Sequence, residues 1–359
     1  MKKILAIFLS ILMLTSCATK PGNTENNKEG SSNVDGKKVV YTSFYPIEFA
    51  TKEIVKDKMD VRSVIPAGVE VHDWEPSLKD MEQLKESSLV LINGLELESW
   101  VEDAKKVVDD DKIVDLSGGI DLIKAEEDDH DHDHEDDHDH DHEDDHDHDH
   151  EDDHDHDHED DHDHDHEDDH DHDHEEGHGH HHHHHGEFDP HVWLSLRNFQ
   201  IVSKNICEAV SNADPENKEF YEENFEELKN KLDELDKKYA GDFENYKGKH
   251  IIVPHEAFAY MARDYDLVQI PIENLTSDSE PDLKTIANIV DTAKSEGIKT
   301  VFYEGEDSGK VPQTIAKEIG GKAMPIHTLE FITDEQEKNG ENYLTMMEDN
   351  FKNILESFK

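Results

Sequence analysis

At 359 residues the chain exceeds one typical domain, and a formal charge of −56 excludes the basic surface by which proteins hold nucleic acid. Residues 126–176 contain 33 acidic side chains and no Lys or Arg, and setting them aside brings the charge of the remainder from −56 to −23. Once this segment and the N-terminus are subtracted, enough chain remains for two medium-sized lobes of moderate acidity, a surface that attracts cations.

The chain opens with Lys2 and Lys3 and an apolar run over residues 4–14, the pattern of an export signal and too short to span a bilayer. The run ends in Leu14-Thr15-Ser16-Cys17, which resembles the lipobox of bacterial lipoproteins. Residues 1–17 are therefore expected to be a lipoprotein signal peptide, with Cys17 the lipidated first residue of the mature chain. An ordinary signal with an incidental cysteine is the alternative. Residues 18–36 carry Pro, Gly, Asn and Ser and too little apolar surface to fold, so they read as a flexible tether. On this reading the protein is extracytoplasmic and anchored to the cell membrane through lipid.

Folding is expected from Lys37. Strand-length apolar runs at residues 39–42, 61–65, 89–92 and 113–114 alternate with helical patterns, which argues a parallel sheet flanked by helices. Beyond the acidic segment the chain resumes at residues 189–194 and enters a helix to about residue 211. Cys207 lies there among Ile201, Val202 and Ile206 and is expected to be a buried thiol. With no second cysteine in the mature chain, an intrachain disulfide is excluded. A further helix starts where Asp214 can cap and Pro215 can take the first helical position, and runs to about residue 243. At 1.5 Å per residue it is roughly 42 Å long, either a rigid strut joining two lobes or a long surface helix of one domain. Strands at residues 251–253, 268–270, 300–303 and 323–326, with helices near 281–295, 311–319 and 342–358, indicate a second α/β lobe.

The acidic segment is a repeat. His-Asp-His-Asp-His-Glu-Asp-Asp recurs with a period of eight from His130, and Gly177-His178-Gly179 and six consecutive histidines, His180 to His185, follow. The period is far below that of a folded repeat and no apolar residue occurs over residues 126–187, so a disordered loop is expected. Neutral imidazole is a preferred ligand of zinc, copper and nickel, and histidines two or four apart can chelate one ion. Candidate ligands are His130, His132 and His134 in the first unit, His138, His140 and His142 in the second, and His178, His180, His182 and His184 at the end. With no preformed geometry, such sites exchange readily and select poorly. A merely solvated acidic loop is the blander reading, but 25 of the 30 histidines lie in this one stretch.

Five histidines lie outside it: His72, His191, His250, His255 and His327. His72 stands in Val71-His72-Asp73-Trp74-Glu75-Pro76-Ser77, His191 in Asp189-Pro190-His191-Val192-Trp193, and His255 in Pro254-His255-Glu256-Ala257-Phe258-Ala259-Tyr260. Each follows a strand or opens a helix, where α/β folds place binding residues. These segments, their order and the lipobox resemble the cluster A-I solute-binding proteins of zinc and manganese ABC importers, over residues 37–359, with the tract where zinc-specific members carry a His-rich loop. The resemblance implies an α/β fold of two Rossmann-like lobes joined by a long rigid helix, the disordered loop being inserted in the first lobe. The division is 37–212 for the first lobe (loop 126–187), 213–245 for the linking helix and 246–359 for the second lobe.

The same resemblance implies a metal site with His72 and His191 from the first lobe, His255 from the second, and a carboxylate shortly before the C-terminal helix. Asp334 is assigned to that place, with Glu335 beside it and Glu304 or Glu306 as further candidates. Three imidazoles and one carboxylate suit zinc better than manganese, and four protein ligands leave no open position for an activated water. His250 and His327 are expected to be ordinary structural residues, Trp74, Trp193 and Tyr260 to pack around the cleft, and Asp73 and Glu256 to orient imidazoles or face solvent. The implied function is a monomeric zinc receptor, not an enzyme, that serves an ABC permease and its ATPase, the His-rich loop collecting or sensing metal. The chain itself has no phosphate-binding Gly-rich loop. A manganese or broader divalent-metal receptor is the alternative within the family. Outside it stand a passive zinc buffer or adhesin, and a zinc hydrolase built on His255-Glu256. The hydrolase lacks the next histidine of a His-Glu-x-x-His helix, since Ala259 stands there.

Overall fold

A computed structural model describes residues 36–72, 74–125, 186–275, 281–305 and 309–359. Cys17, the tether up to residue 35 and all ten candidate histidines of the tract lie outside the described residues, as do Asp73 and Glu306. The chain divides into two compact units, Met1–Lys37 and Lys38–Lys359, and the second carries everything that follows.

Its first lobe alternates β1 (Lys38–Thr42), α1 (Tyr45–Val55), β2 (Met59–Ser63), α2 (Leu78–Leu84), β3 (Leu89–Ile92), α3 (Val101–Ala104) and β4 (Ile113–Asp115). The strands form one parallel sheet in the order β2-β1-β3-β4. Both faces of such a sheet are covered, which is why β3 reads Leu-Val-Leu-Ile without alternation and is buried throughout. Helix α1 shows the complementary pattern: Ile47, Ala50, Thr51, Ile54 and Val55 recur at helical spacing and are all buried. β2 ends two residues before the predicted Ile65. Val64 and Ile65 nevertheless still donate to the carbonyls of Thr42 and Ser43, at 2.8 and 3.0 Å.

Two helices follow, α4 (Leu196–Ala213) and α5 (Lys218–Phe243). The predicted start at Asp214-Pro215 is a 3₁₀ turn, Pro215–Asn217, that leads into α5. Asp214 binds the turn together, accepting from Tyr221 Oη and Asn217 Nδ2 at 2.7 Å each and from Lys38 Nζ at 3.0 Å. Cys207 is buried in α4, and burial pushes its thiol up, as expected of a packed, unreactive cysteine.

The second lobe runs β5 (His250–His255), α6 (Ala259–Asp264), β6 (Val268–Glu273), α7 (Leu283–Glu296), β7 (Thr300–Tyr303), α8 (Lys310–Glu318), β8 (Lys322–Pro325), α9 (Asp334–Lys338) and α10 (Tyr343–Ser357). Its parallel sheet has the order β6-β5-β7-β8, the same topology as the first. Each sheet thus has a switch point, β1/β3 and β5/β7, at whose carboxyl end an α/β sheet opens a crevice. The first half of α5 lies on α1, where Asn224 Nδ2 donates to Ile54 O at 2.8 Å. Its last turns lie on α10, where the Tyr239 and Phe351 rings stand 4.7 Å apart. One continuous core therefore includes Phe44, Trp193 and Phe199 beside Phe243, Val253 and Phe351, while each sheet's outer face has a separate cluster. The long helix belongs to both lobes.

Candidate metal centre

His72, His191, His255 and Glu330 each offer one ligand atom, and the four atoms all lie within 4.8 Å of one another. His72 comes from the loop between β2 and α2, anchored just before it by buried Val71. His191 stands at the entrance of a 3₁₀ turn, Val192–Leu194, that leads to α4. Asp189 fixes that ring: its Oδ1 accepts from the backbone N–H and from Nδ1 of His191, each at 2.8 Å, leaving Nε2 to face the centre. His255 is the last residue of β5, at the carboxyl edge of the second sheet. Glu330 follows β8 and is turned inward after Leu329, whose φ of 61° is the left-handed conformation that a side chain rarely adopts.

The segment carrying His191 is clamped by the second lobe. Tyr260 Oη donates to Asp189 O at 2.7 Å, Trp193 Nε1 to Thr328 O at 2.7 Å, and Tyr343 Oη to Trp193 O at 2.6 Å. Ser195 Oγ donates to Asp264 of α6. The first lobe holds the same segment, Asn93 Nδ2 donating to Pro190 O and Asp189 N to Ile123 O, each at 2.9 Å, so His191 stands at the junction of the lobes. His72 comes from a loop of the first sheet, and His255 and Glu330 come from the second lobe.

Burial sets the charge state of the group. It pushes His191 down to about 3, and it holds His255 well below 6.5 with help from neighbouring His191 and His72. Both rings are thus neutral, the form that binds metal. Glu330 is held well above the ordinary carboxyl range, first by burial and then by the nearby charges of Glu70 and Glu304. Its Oε1 lies 3.9 Å from His255 Nε2, and both atoms are buried without a hydrogen-bond partner among the described residues. His72 and His191 bring their Nε2 atoms to 3.2 Å. Donors around a tetrahedral zinc ion, at bonds of about 2.0–2.2 Å, stand roughly 3.4 Å apart, so the chemistry and the spacing both suit such an ion.

Asp334, assigned from sequence as the carboxylate ligand, is not in this group. It is the first residue of α9, its side chain is 89% exposed, and it stands 3.6 Å from Lys338. A capping box between Thr333 and Gln336 accounts for the polar run there, and Glu335 is exposed on the same helix. Glu304 is half-buried near the group and pushed up to about 7 by loss of solvent around its carboxyl, yet it accepts from Thr328 N at 2.8 Å and from the Thr328 hydroxyl. Glu330, which the sequence reading missed, stands between Leu329 and Phe331 just past β8, and that apolar setting was the available signal. Asp189 was missed as well, although Asp-Pro-His places an acceptor two residues before the ring.

The remaining residues fall as follows. His250 opens β5, at the edge opposite His255, and the backbone of His327 is bonded by Asn350 at 2.8 and 2.7 Å. Trp74 meets Trp100 edge-on with ring centroids 6.0 Å apart, while Trp193 and Tyr260 are buried beside the site. Glu256 is half-buried next to His255.

A family model described as ZnuA, zinc-uptake complex component A, periplasmic, matches residues 40–357. The high-affinity zinc uptake system protein ZnuA of Bacillus subtilis (strain 168) is 34% identical over 349 residues, which cover 96% of this chain and 94% of that one. The zinc-binding protein AdcA of Streptococcus pyogenes is 35% identical over 320 residues, 89% of this chain but 56% of AdcA, so the chain spans about half the length of that relative. Among solved structures, the Zn(II)-bound ZnuA-like domain of Streptococcus pneumoniae AdcA superimposes with a TM-score of 0.66 at 28% identity, covering 90% of this chain and 99% of that domain.

Proposed function

The chain belongs to the periplasmic zinc-uptake component A family, and from that premise we propose that it captures zinc between its two lobes and hands the ion to an ABC permease driven by a separate ATPase. The observation that carries this reading is the convergence of His72, His191, His255 and Glu330, with buried, unpartnered ligand atoms on His255 and Glu330. His191 and His255 are kept neutral by burial and need shed no proton to bind. Glu330 supplies the negative charge once a cation displaces its proton. Four protein donors complete a tetrahedral set, so the ion is held as cargo with no vacant position for an activated water. Three nitrogens favour zinc over manganese, which takes more oxygen. Withdrawal of the first-lobe loop that carries His72 is the step that weakens the site for release.

Cys17 anchors the chain to the outer face of the membrane, and the His/Asp tract collects zinc near the cleft by raising its local concentration. The receptor works as a monomer. Metal analysis and competitive zinc titration of three proteins test the reading: the mature chain, a deletion of residues 128–186, and the deletion carrying His72→Ala and His191→Ala. One tight zinc is expected in the first two and none in the third. Loss of all tight binding on deleting the tract would make the chain a surface zinc buffer instead.

A further inference from the structure

The two lobes share more than strand order. Glu75-Pro76-Ser77-Leu78-Lys79 recurs in the second lobe as Glu280-Pro281-Asp282-Leu283-Lys284. The first copy leads from β2 into α2 and the second from β6 into α7, and β2 and β6 hold the same place in their sheets. The local geometry is also duplicated. Ser77, with φ −72° and ψ 165°, caps α2 by accepting from Asp80 N, and Asp282, with φ −71° and ψ 165°, caps α7 by accepting from Thr285 N.

Helix capping explains the Ser and Asp of these segments, and the proline suits the entry to a helix. It does not explain the leucine. Leu78 is 89% exposed and Leu283 is 86% exposed; the other large apolar side chain exposed among the described residues, Val268, reaches 43%. Neither leucine joins a core cluster. A single exposed leucine is ordinary on a protein surface. Two of them, at the same position of the same motif in two lobes of the same topology, form a pattern that scatter does not produce.

Their location adds to this. A helix that follows a parallel strand begins at that strand's carboxyl edge, so Leu78 and Leu283 both stand on the edges that bear the metal-binding loops. Leu78 is six residues beyond His72, and β6 lies directly beside β5, whose last residue is His255. An exposed lysine, Lys79 or Lys284, follows each leucine.

We propose that Leu78 and Leu283 are a matched pair of apolar knobs by which the receptor docks on a membrane permease made of two equivalent halves, one knob entering each half. The inference rests on the delivery role proposed above. Like knobs with like caps and like neighbouring cations call for the same socket twice, and two copies of one subunit supply that. Each socket is an apolar depression with a carboxylate at its rim to meet the lysine. Removing one leucine from such a contact weakens docking by about tenfold.

The test is uptake of radiolabelled zinc at limiting metal by the bacterium that makes this chain, its own copy replaced by Leu78→Ser, Leu283→Ser, the double variant or Val268→Ser, at equal surface amounts. Zinc titration of each purified protein runs alongside. Each single leucine variant is expected to lower uptake severalfold and the double variant by more than tenfold, with Val268→Ser at the parental rate and zinc affinity the same in all. Parental uptake by the double variant overturns the proposal. So does a loss of zinc affinity that parallels the loss of uptake, or a dimer of the chain in solution that disappears with the leucines. If cells lacking the chain take up zinc at the parental rate, the delivery role itself falls, and the docking knobs with it.

Discussion

A buried carboxylate oxygen without a hydrogen-bond partner is costly, and Glu330 avoids part of that cost by keeping its proton until a cation replaces it. The sign of the pH dependence follows. Its carboxyl is held well above 4.5 by burial and by Glu70 and Glu304, so the protonated form persists to higher pH than in an ordinary carboxyl and zinc must displace that proton. Affinity should therefore fall as pH drops through Glu330's raised value, by about tenfold per pH unit for one proton. His191, near 3, and His255, well below 6.5, add no competing proton in that range. In the tract-deleted chain, Glu330→Gln should remove the carboxyl's share of this dependence and lower zinc affinity by about 100-fold or more. Asp334→Asn should leave affinity within about twofold, because its exposed side chain pairs only with Lys338. Competitive titration over a pH series measures both, and parental affinity in Glu330→Gln would remove that residue from the ligand set.

At the scale of elements, the carriers of the ligands matter more than the strands themselves. The turn holding His191 lies between the two lobes in sequence and is fastened to the second by Trp193, Tyr260 and Ser195. Trp193→Phe keeps the ring's packing but leaves the buried Thr328 carbonyl without its donor. That should lower unfolding free energy by about 1–3 kcal/mol, read from chemical denaturation. An unchanged denaturation midpoint would show that this bond does not fasten the turn. Elements were legible where local pattern is decisive: the strands at 39–42, 89–92 and 300–303 fall where their apolar runs lie, and Asn342, predicted to open the last helix, is its N-cap. Patterns gave less where competing local solutions exist. Asp214-Pro215 makes a 3₁₀ turn before α5, and the acid-rich start of α9 attracted the carboxylate assignment, whereas the acid that stands with the three rings is Glu330.

At the scale of the molecule, α4, α5 and α10 tie both lobes into one core, so neither sheet has an interior of its own on that side. The tract-deleted chain should consequently unfold in a single cooperative transition. Free zinc at about 100 times its dissociation constant should raise the unfolding free energy by about 2.7 kcal/mol, because ligands from both lobes bind it only in the folded state. Calorimetry with and without zinc decides this. Two separate transitions, or a midpoint indifferent to zinc, would contradict a site shared between lobes that fold together.

The sequence by itself determined the ligand chemistry and the architecture. A tract of imidazoles and carboxylates points to transition metals whatever its conformation, and strand and helix periodicity reports local burial. It also singled out His72, His191 and His255, which the fold brings together, because each sits in a distinctive segment beside a strand or helix end. Tertiary structure alone decided the rest. Which carboxylate meets the three rings depends on how the chain turns at Leu329, a backbone conformation that no periodicity encodes. Where His191 is held depends on hydrogen bonds from residues of both lobes, 69 to 150 positions away. Ligand identity is a property of side chains, but ligand position is a property of the packed whole.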